Sequence, residues 1–220
     1  YLPQRDGKSL DAIRVVFPHG KHREGIAVGK EIAKKGYQVF FQAANTLAYS
    51  DEELVELAEE MNQINPVAVS VVDTFGAMYQ EDLERIVHVL NPQIRLGFHS
   101  HNNQQLSFAL TMHFVELLQR TDRGCIVDAS LCGMGRGAGN ATTELVANYL
   151  NLKQHCNYDM NQIMDAIDMY MQYFQENYTW GYSTPYFIAG MYCCHVNNIA
   201  YLLKNHRTNA LDMRNIIESL

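Results

Sequence analysis

Two histidines separated by one residue, His99 and His101, and the glycine-rich run Gly133-Met134-Gly135-Arg136-Gly137-Ala138-Gly139-Asn140 are the stretches of this chain best suited to chemistry. Alternate residues of a strand point to the same side, so both imidazoles can direct a nitrogen at one ion. Two imidazoles completed by oxygen donors suit Mn²⁺, Mg²⁺, Co²⁺ or Zn²⁺, and an oxygen-rich octahedral set favours the first two. Asn140 is a candidate oxygen ligand, or else the N-cap of a helix opening at Ala141-Thr142-Thr143. Thr74, beside Asp73 at the end of a strand-like run, either offers its hydroxyl to a substrate carboxylate or closes a turn. Arg136 is available to an anionic substrate, and His19 is a candidate acid–base or phosphate contact, with His22 expected at the surface.

The run from Gly133 to Ala138 also fits the GxGxxG/A dinucleotide fingerprint. That fingerprint requires a second strand ending in an acidic residue about 20 positions on. Here Leu152-Lys153-Gln154-His155 and another helix follow, so a low-bulk loop over a ligand is the better reading.

These groups must be positioned by the elements around them. Short β-branched runs at 12–17, 37–42, 67–72, 94–98 and 126–131 read as strands, the first as one buried on both faces. Amphipathic helices alternate with them, over 24–35, from the capping box Ser50-Asp51-Glu52-Glu53, and after residues 76, 102 and 140. Strict β-α alternation predicts a parallel sheet with right-handed crossovers, with chemistry at the strand C-terminal ends. Beyond residue 152 only helices can be read: one through Met160 and Phe174, one from Thr184-Pro185 through Met191, His195 and Leu203, and one from Asn209. The chain thus divides into an α/β body over 1–152 and a helical lid or interface region over 153–220, whose Met, Tyr and Cys suit either an interface or more core.

Composition bounds the function. Of 220 residues, 47% are hydrophobic and 19% charged, as in a folded globular protein, and a net charge of −7 without a basic stripe argues against nucleic acid. No apolar run approaches the ~20 residues a membrane helix needs. Five cysteines without CxxC spacing read as free, buried thiols, and with no signal peptide the expected compartment is the cytoplasm.

The text Asp73-Thr74-Phe75-Gly76-Ala77-Met78, Gly97-Phe98-His99-Ser100-His101-Asn102-Asn103 and Val127-Asp128-Ala129-Ser130-Leu131-Cys132 through the glycine run to Asn140, with Glu144 nearby, resembles a known family. It is similar to the metal-dependent TIM-barrel aldolases and lyases related to 4-hydroxy-2-oxovalerate aldolase and HMG-CoA lyase. The run from Asp128 to Asn140 points to the hydroxy-oxo-acid aldolase branch.

The resemblance implies a partial (β/α)8 barrel, strands equivalent to the fourth to eighth, followed by a helical tail. It makes His99 and His101 metal ligands, Asn140 a nearby or direct ligand, and Thr74 a carboxylate contact. The cofactor implied is Mn²⁺ or Mg²⁺, and the reaction is cleavage of a 4-hydroxy-2-oxo acid to pyruvate and an aldehyde. The partners implied are the small 2-oxo acid, and a second copy or an aldehyde dehydrogenase on the C-terminal helices.

In the family the first strand supplies an Arg-Asp pair whose Asp completes the metal site, and a His that acts as general base. Arg5-Asp6-Gly7 stands too close to the strand at 12–17 to be that pair. A C-terminal portion lacking three strands, inactive by itself, is therefore expected. The tail also departs from the family, with Ile188 rather than Tyr before Ala189-Gly190. An acyl-CoA-dependent Claisen-type lyase or synthase, and a non-catalytic interaction module dimerising through exposed sheet edges, are the competing readings.

Overall fold

The structure, a computed structural model, describes residues 2–90, 94–119, 121 and 124–219. Its strands are β1 (Ala12–Phe17), β2 (Gln38–Ala43), β3 (Ala68–Asp73), β4 (Leu96–Ser100) and β5 (Ile126–Val127). They form one sheet in the order β1-β2-β3-β4-β5, and the pairs β1–β2, β2–β3 and β4–β5 run parallel. Helices α1 (His22–Lys34), α2 (Asp51–Asn62), α3 (Gln80–Leu90), α4 (Ser107–Leu118) and α5 (Thr143–Gln154) alternate with and follow the strands. The tail holds α6 (Met160–Ala166), α7 (Gln172–Asn177), α8 (Thr184–Met191), α9 (Val196–Lys204) and α10 (Ala210–Glu218).

Packing divides the chain into two compact units. The first comprises Tyr1–Asp73, Gln80–Phe98 and Phe114–Val127, and the second Thr74–Tyr79, His99–His113 and Asp128–Leu220.

In the first unit β3 is buried at every position, as its Ala-Val-Ser-Val-Val sequence requires of an interior strand. Phe41, Leu54, Leu57, Met61, Leu83 and Ile86 are wholly enclosed, and Phe98 stacks on Phe114 at 5.3 Å. The expected capping box opens α2: the Glu53 amide donates to Ser50 Oγ at 3.2 Å and the Ser50 amide to Glu53 Oε2 at 2.8 Å. The expectation that β1 is buried on both faces is corrected. It is an edge strand whose Val15 and Phe17 are buried while Arg14 and Val16 are exposed.

In the second unit Ile188, Ala189, Ile199, Leu202, Met213 and Ile217 of α8, α9 and α10 form a core of their own. Two expectations for this part are corrected. The strand at 126–131 keeps only Ile126–Val127, because the chain then turns into a loop and a 3-10 turn at Leu131–Gly133, where Cys132 takes φ 52°. The helix expected from Thr184 through Leu203 is two helices, broken where Cys193 adopts φ 48° and His195 becomes the cap of α9. The helix read through Met160 and Phe174 is continuous across α6 and α7, with a π-turn at Ile167–Met171 between them.

The five cysteines are thiols as expected, not disulfides, but they are not buried: Cys156 and Cys193 are exposed and the others half-buried. No helix among the described residues is long and apolar enough to cross a membrane.

Candidate metal centre

β4 carries His99 and His101 follows one residue past its end, and the extended alternation sets the rings beside each other, with centroids 5.2 Å apart and planes nearly perpendicular. Each ring is held from behind. His99 Nδ1 lies 3.1 Å from Asp128 Oδ2, which leaves its Nε2 lone pair outward. The ring of His101 bonds the Gly139 backbone, and its own backbone bridges that of Asn140 in antiparallel fashion. A carboxylate or carbonyl behind the ring is what fixes the tautomer and aim of a metal-binding histidine.

Burial, then the neighbouring His99, and with them His195 and Arg136, push the His101 pKa down to about 4 against the Gly139 bond. His101 is therefore neutral at pH 7, the form that ligates.

The glycine run delivers Asn140. Gly139 has φ 84°, and a Cβ there would lie 2.2 Å from the Gly133 carbonyl oxygen, which itself accepts from the Asn140 amide at 3.0 Å. Asn140 Nδ2 donates to the Met134 carbonyl at 3.1 Å and to Ser130 Oγ at 3.4 Å. Its Oδ1 is buried with no hydrogen-bond partner. The cap reading of Asn140 is ruled out, because α5 opens at Thr143 with Thr142 in the N-cap position. An orphaned buried oxygen beside two back-bonded imidazoles is a donor set that could hold a divalent ion.

Thr74 is half-buried, and its neighbour Phe75 meets the His195 ring edge-on at 6.4 Å. Arg136 is exposed, as an anion-binding side chain needs to be. The thiol of Cys132 is raised by burial and by Glu144, whose Oε2 accepts from the Cys132 amide at 3.1 Å, so it stays protonated and structural.

Other expected residues lie in the first unit. His19 Nε2 bonds the Glu53 carboxylate at 3.1 Å and its ring packs on Tyr49. His22 is not on the surface as expected: its side chain is 14% exposed, 3.6 Å from Glu60 and 3.9 Å from Glu56. Its ligand atom and those of Glu56 and Glu60 lie within 4.8 Å of one another, a second metal-capable group. Arg23 already engages both carboxylates, donating to Glu60 at 2.9 Å. Nothing in the spacing of His22 to Glu56 announces this cluster, since it is made by two helices meeting. Arg5 and Asp6 are engaged locally, with Asp11 and with the Lys8 amide.

Residues 20–169 match the family model described as HMGL-like. The chain belongs to the HMGL-like family. Within it, 120 residues are 38% identical to the 4-hydroxy-2-oxovalerate aldolase of Thermomicrobium roseum, covering 53% of this chain and 32% of the relative. The oxaloacetate decarboxylase of Mycobacterium tuberculosis is 29% identical over 164 residues, 73% of this chain and 47% of that protein. These matches therefore span about a third and about half of the relatives' own length. Among solved structures, the N-terminal domain of a Bacteroides vulgatus protein assigned as an aldolase superposes with a TM-score of 0.80 at 25% identity, covering 96% of this chain and 67% of that one. The fold class expected from sequence is the one found: α/β, with five parallel strands as part of a TIM-barrel arrangement and a helical tail.

Proposed function

We propose that this HMGL-like chain carries the His-His-Asn side of the active site of a divalent-metal-dependent carbon–carbon lyase, one that cleaves a 4-hydroxy-2-oxo acid to pyruvate and an aldehyde. The observation that carries the reading is the trio His99, His101 and Asn140: two imidazoles bonded from behind and one buried amide oxygen without a partner. A Mn²⁺ or Mg²⁺ ion held by these three would supply Lewis acidity to the 2-oxo oxygen.

The chain's own residues do the rest of the work assigned to them. Asp128 holds His99 in the tautomer that leaves Nε2 free, and burial keeps His101 uncharged. Thr74 Oγ1 donates to the substrate carboxylate, and Arg136 at the open side draws the anion in. The remaining ligand carboxylate and the general base for the 4-hydroxyl proton have no assigned side chain here, so turnover is expected of the longer protein and ligand binding of these 220 residues. The enzyme is placed in the cytoplasm. Residues 153–220 are assigned the lid and interface role, for a second copy or an aldehyde dehydrogenase; the exposure of Met169, Tyr170, Tyr173 and Tyr178 supports a docked partner there.

The test is pyruvate release from 4-hydroxy-2-oxopentanoate by the longer protein with Mn²⁺, together with Mn²⁺-dependent oxamate binding by this chain. Absence of both overturns the proposal. A second reading, decarboxylation of oxaloacetate, is favoured by the longer match to the mycobacterial decarboxylase. It predicts CO₂ release from oxaloacetate in the same assay. Strict dependence on an acyl-CoA would instead favour the Claisen-type alternative.

A further inference from the structure

We propose that His195, from the helical tail, is a substrate-binding residue of this site: a neutral imidazole that donates its Nε2–H to the carboxylate of the 2-oxo acid alongside Thr74. The inference rests on the lyase reading above and adds a residue that no motif marks.

His195 sits between two close-packed anchors. On one side a Cβ at Gly190 would fall 2.9 Å from Asn103 Cβ and 3.3 Å from the Gly76 carbonyl oxygen, so α8 lies directly on the segments that follow Thr74 and His101. The side-chain amide of Asn103, itself buried, donates to the Tyr186 carbonyl at 2.8 Å and fastens the same helix. On the other side a Cβ at Gly137 would stand 3.0 Å from Val196 Cγ1, so the first residue of α9 rests on the glycine run. Only four residues separate the Gly190 anchor from His195, and none separates His195 from Val196.

The ring is thereby set against Phe75, next to Thr74, and is close enough to His101 to act on its charge, as Arg136 also does. His195 and Arg136 thus both stand within electrostatic reach of His101, and with the rings uncharged it is the Arg136 guanidinium and the N–H of His195 that favour an anionic ligand.

The cap of α9 decides what His195 can do there. Its Nδ1 accepts from the Asn197 amide at 3.1 Å. A nitrogen that accepts carries no proton, so the neutral ring keeps its hydrogen on Nε2. In this state His195 has no free lone pair with which to take a proton, and its exposed edge is a donor. It serves as a carboxylate contact and not as the missing general base.

Two substitutions separate this role from capping. Asparagine places an oxygen where Nδ1 stands and keeps the cap, while glutamine places an amide N–H where Nε2 stands and gives up the cap. The measurement is oxamate affinity by calorimetry with the intact chain in the presence of Mn²⁺, beside the thermal unfolding midpoint. A hydrogen bond to a charged partner is lost in His195→Asn, so oxamate binding should weaken about tenfold or more with the midpoint unchanged. His195→Gln should retain most of the affinity with a lowered midpoint.

Affinity kept in His195→Asn, or lost only in step with the midpoint in His195→Gln, overturns the inference while leaving the lyase reading intact. Wild-type protein that binds no oxamate overturns both. An oxamate affinity unchanged in His195→Asn, joined to a raised KM for 4-hydroxy-2-oxopentanoate in the longer protein, would move His195 to the 4-hydroxyl end and so contradict the carboxylate assignment.

Discussion

The chain holds two histidine-centred clusters, and they differ in what satisfies them. His22, Glu56 and Glu60 bring three ligand atoms together, yet Arg23 already engages both carboxylates and offsets part of their charge. His22 Nε2 is itself buried without a hydrogen-bond partner, so the clusters differ in how the other groups are held: Arg23 takes the carboxylates of the first. Around His99 and His101 it is the backs of the rings that are engaged. The polar bonds run behind the rings, to Asp128 and Gly139, while the Asn140 oxygen is buried with nothing to accept from. A grouping of ligand types such as His22 with Glu56 and Glu60 is therefore a weaker sign of a metal centre where a guanidinium already engages its oxygens.

The sharpest contrast should be in acid. His101 has its pKa depressed to about 4 by burial and its neighbours, while in the unfolded chain it returns to about 6.5. The unfolded state then binds the proton first, so stability present above pH ~6.5 falls as pH drops towards 4, by up to about 3 kcal/mol. Urea unfolding in EDTA at stepped pH measures this, and His101→Gln should flatten the slope.

Next in size is the bond behind His99. Asp128→Asn should weaken Mn²⁺ binding about 10- to 100-fold without unfolding the chain, as titration calorimetry would report. Equal affinity would mean that the aspartate only tethers a loop. Smaller still is a control in the first unit: Ser50→Ala should cost about 1 kcal/mol of stability and leave Mn²⁺ affinity unchanged, because it removes the α2 cap alone. The smallest effect is expected from Arg23→Gln, an exposed pair whose loss should not measurably shift the unfolding midpoint. If that variant instead gains tight Zn²⁺ binding, the arginine is what keeps the His22 cluster from holding metal.

Much of this was legible in the residues. The paired histidines, the Ser50 to Glu53 box and the alternation of apolar runs each depend on local spacing, and each stands where local spacing puts it. The misreadings share a cause in contacts between distant segments. β5 stops at Val127 because Asp128 turns to His99, a partner 29 residues upstream. His22 is covered because α2 supplies Glu56 and Glu60. The apolar spacing through Met191, His195 and Ile199 suggested one helix, but left-handed Cys193 breaks it and turns His195 into a cap. Asn140 stands two residues before the N-cap of α5, and the burial of its carboxamide oxygen follows from the fold of the glycine run, which residue types do not announce.

The central claim is that the lone pairs at His99, His101 and Asn140 belong to a metal ion. Mn²⁺ titration of the wild-type chain beside His99→Ala and His22→Ala, followed by the nitrogen couplings in its pulsed electron paramagnetic resonance spectrum, tests it directly. The account predicts histidine nitrogen couplings in the wild-type protein and in His22→Ala, with affinity lowered at least about a hundredfold in His99→Ala. Undiminished affinity in His99→Ala, or loss of the couplings in His22→Ala, would contradict it.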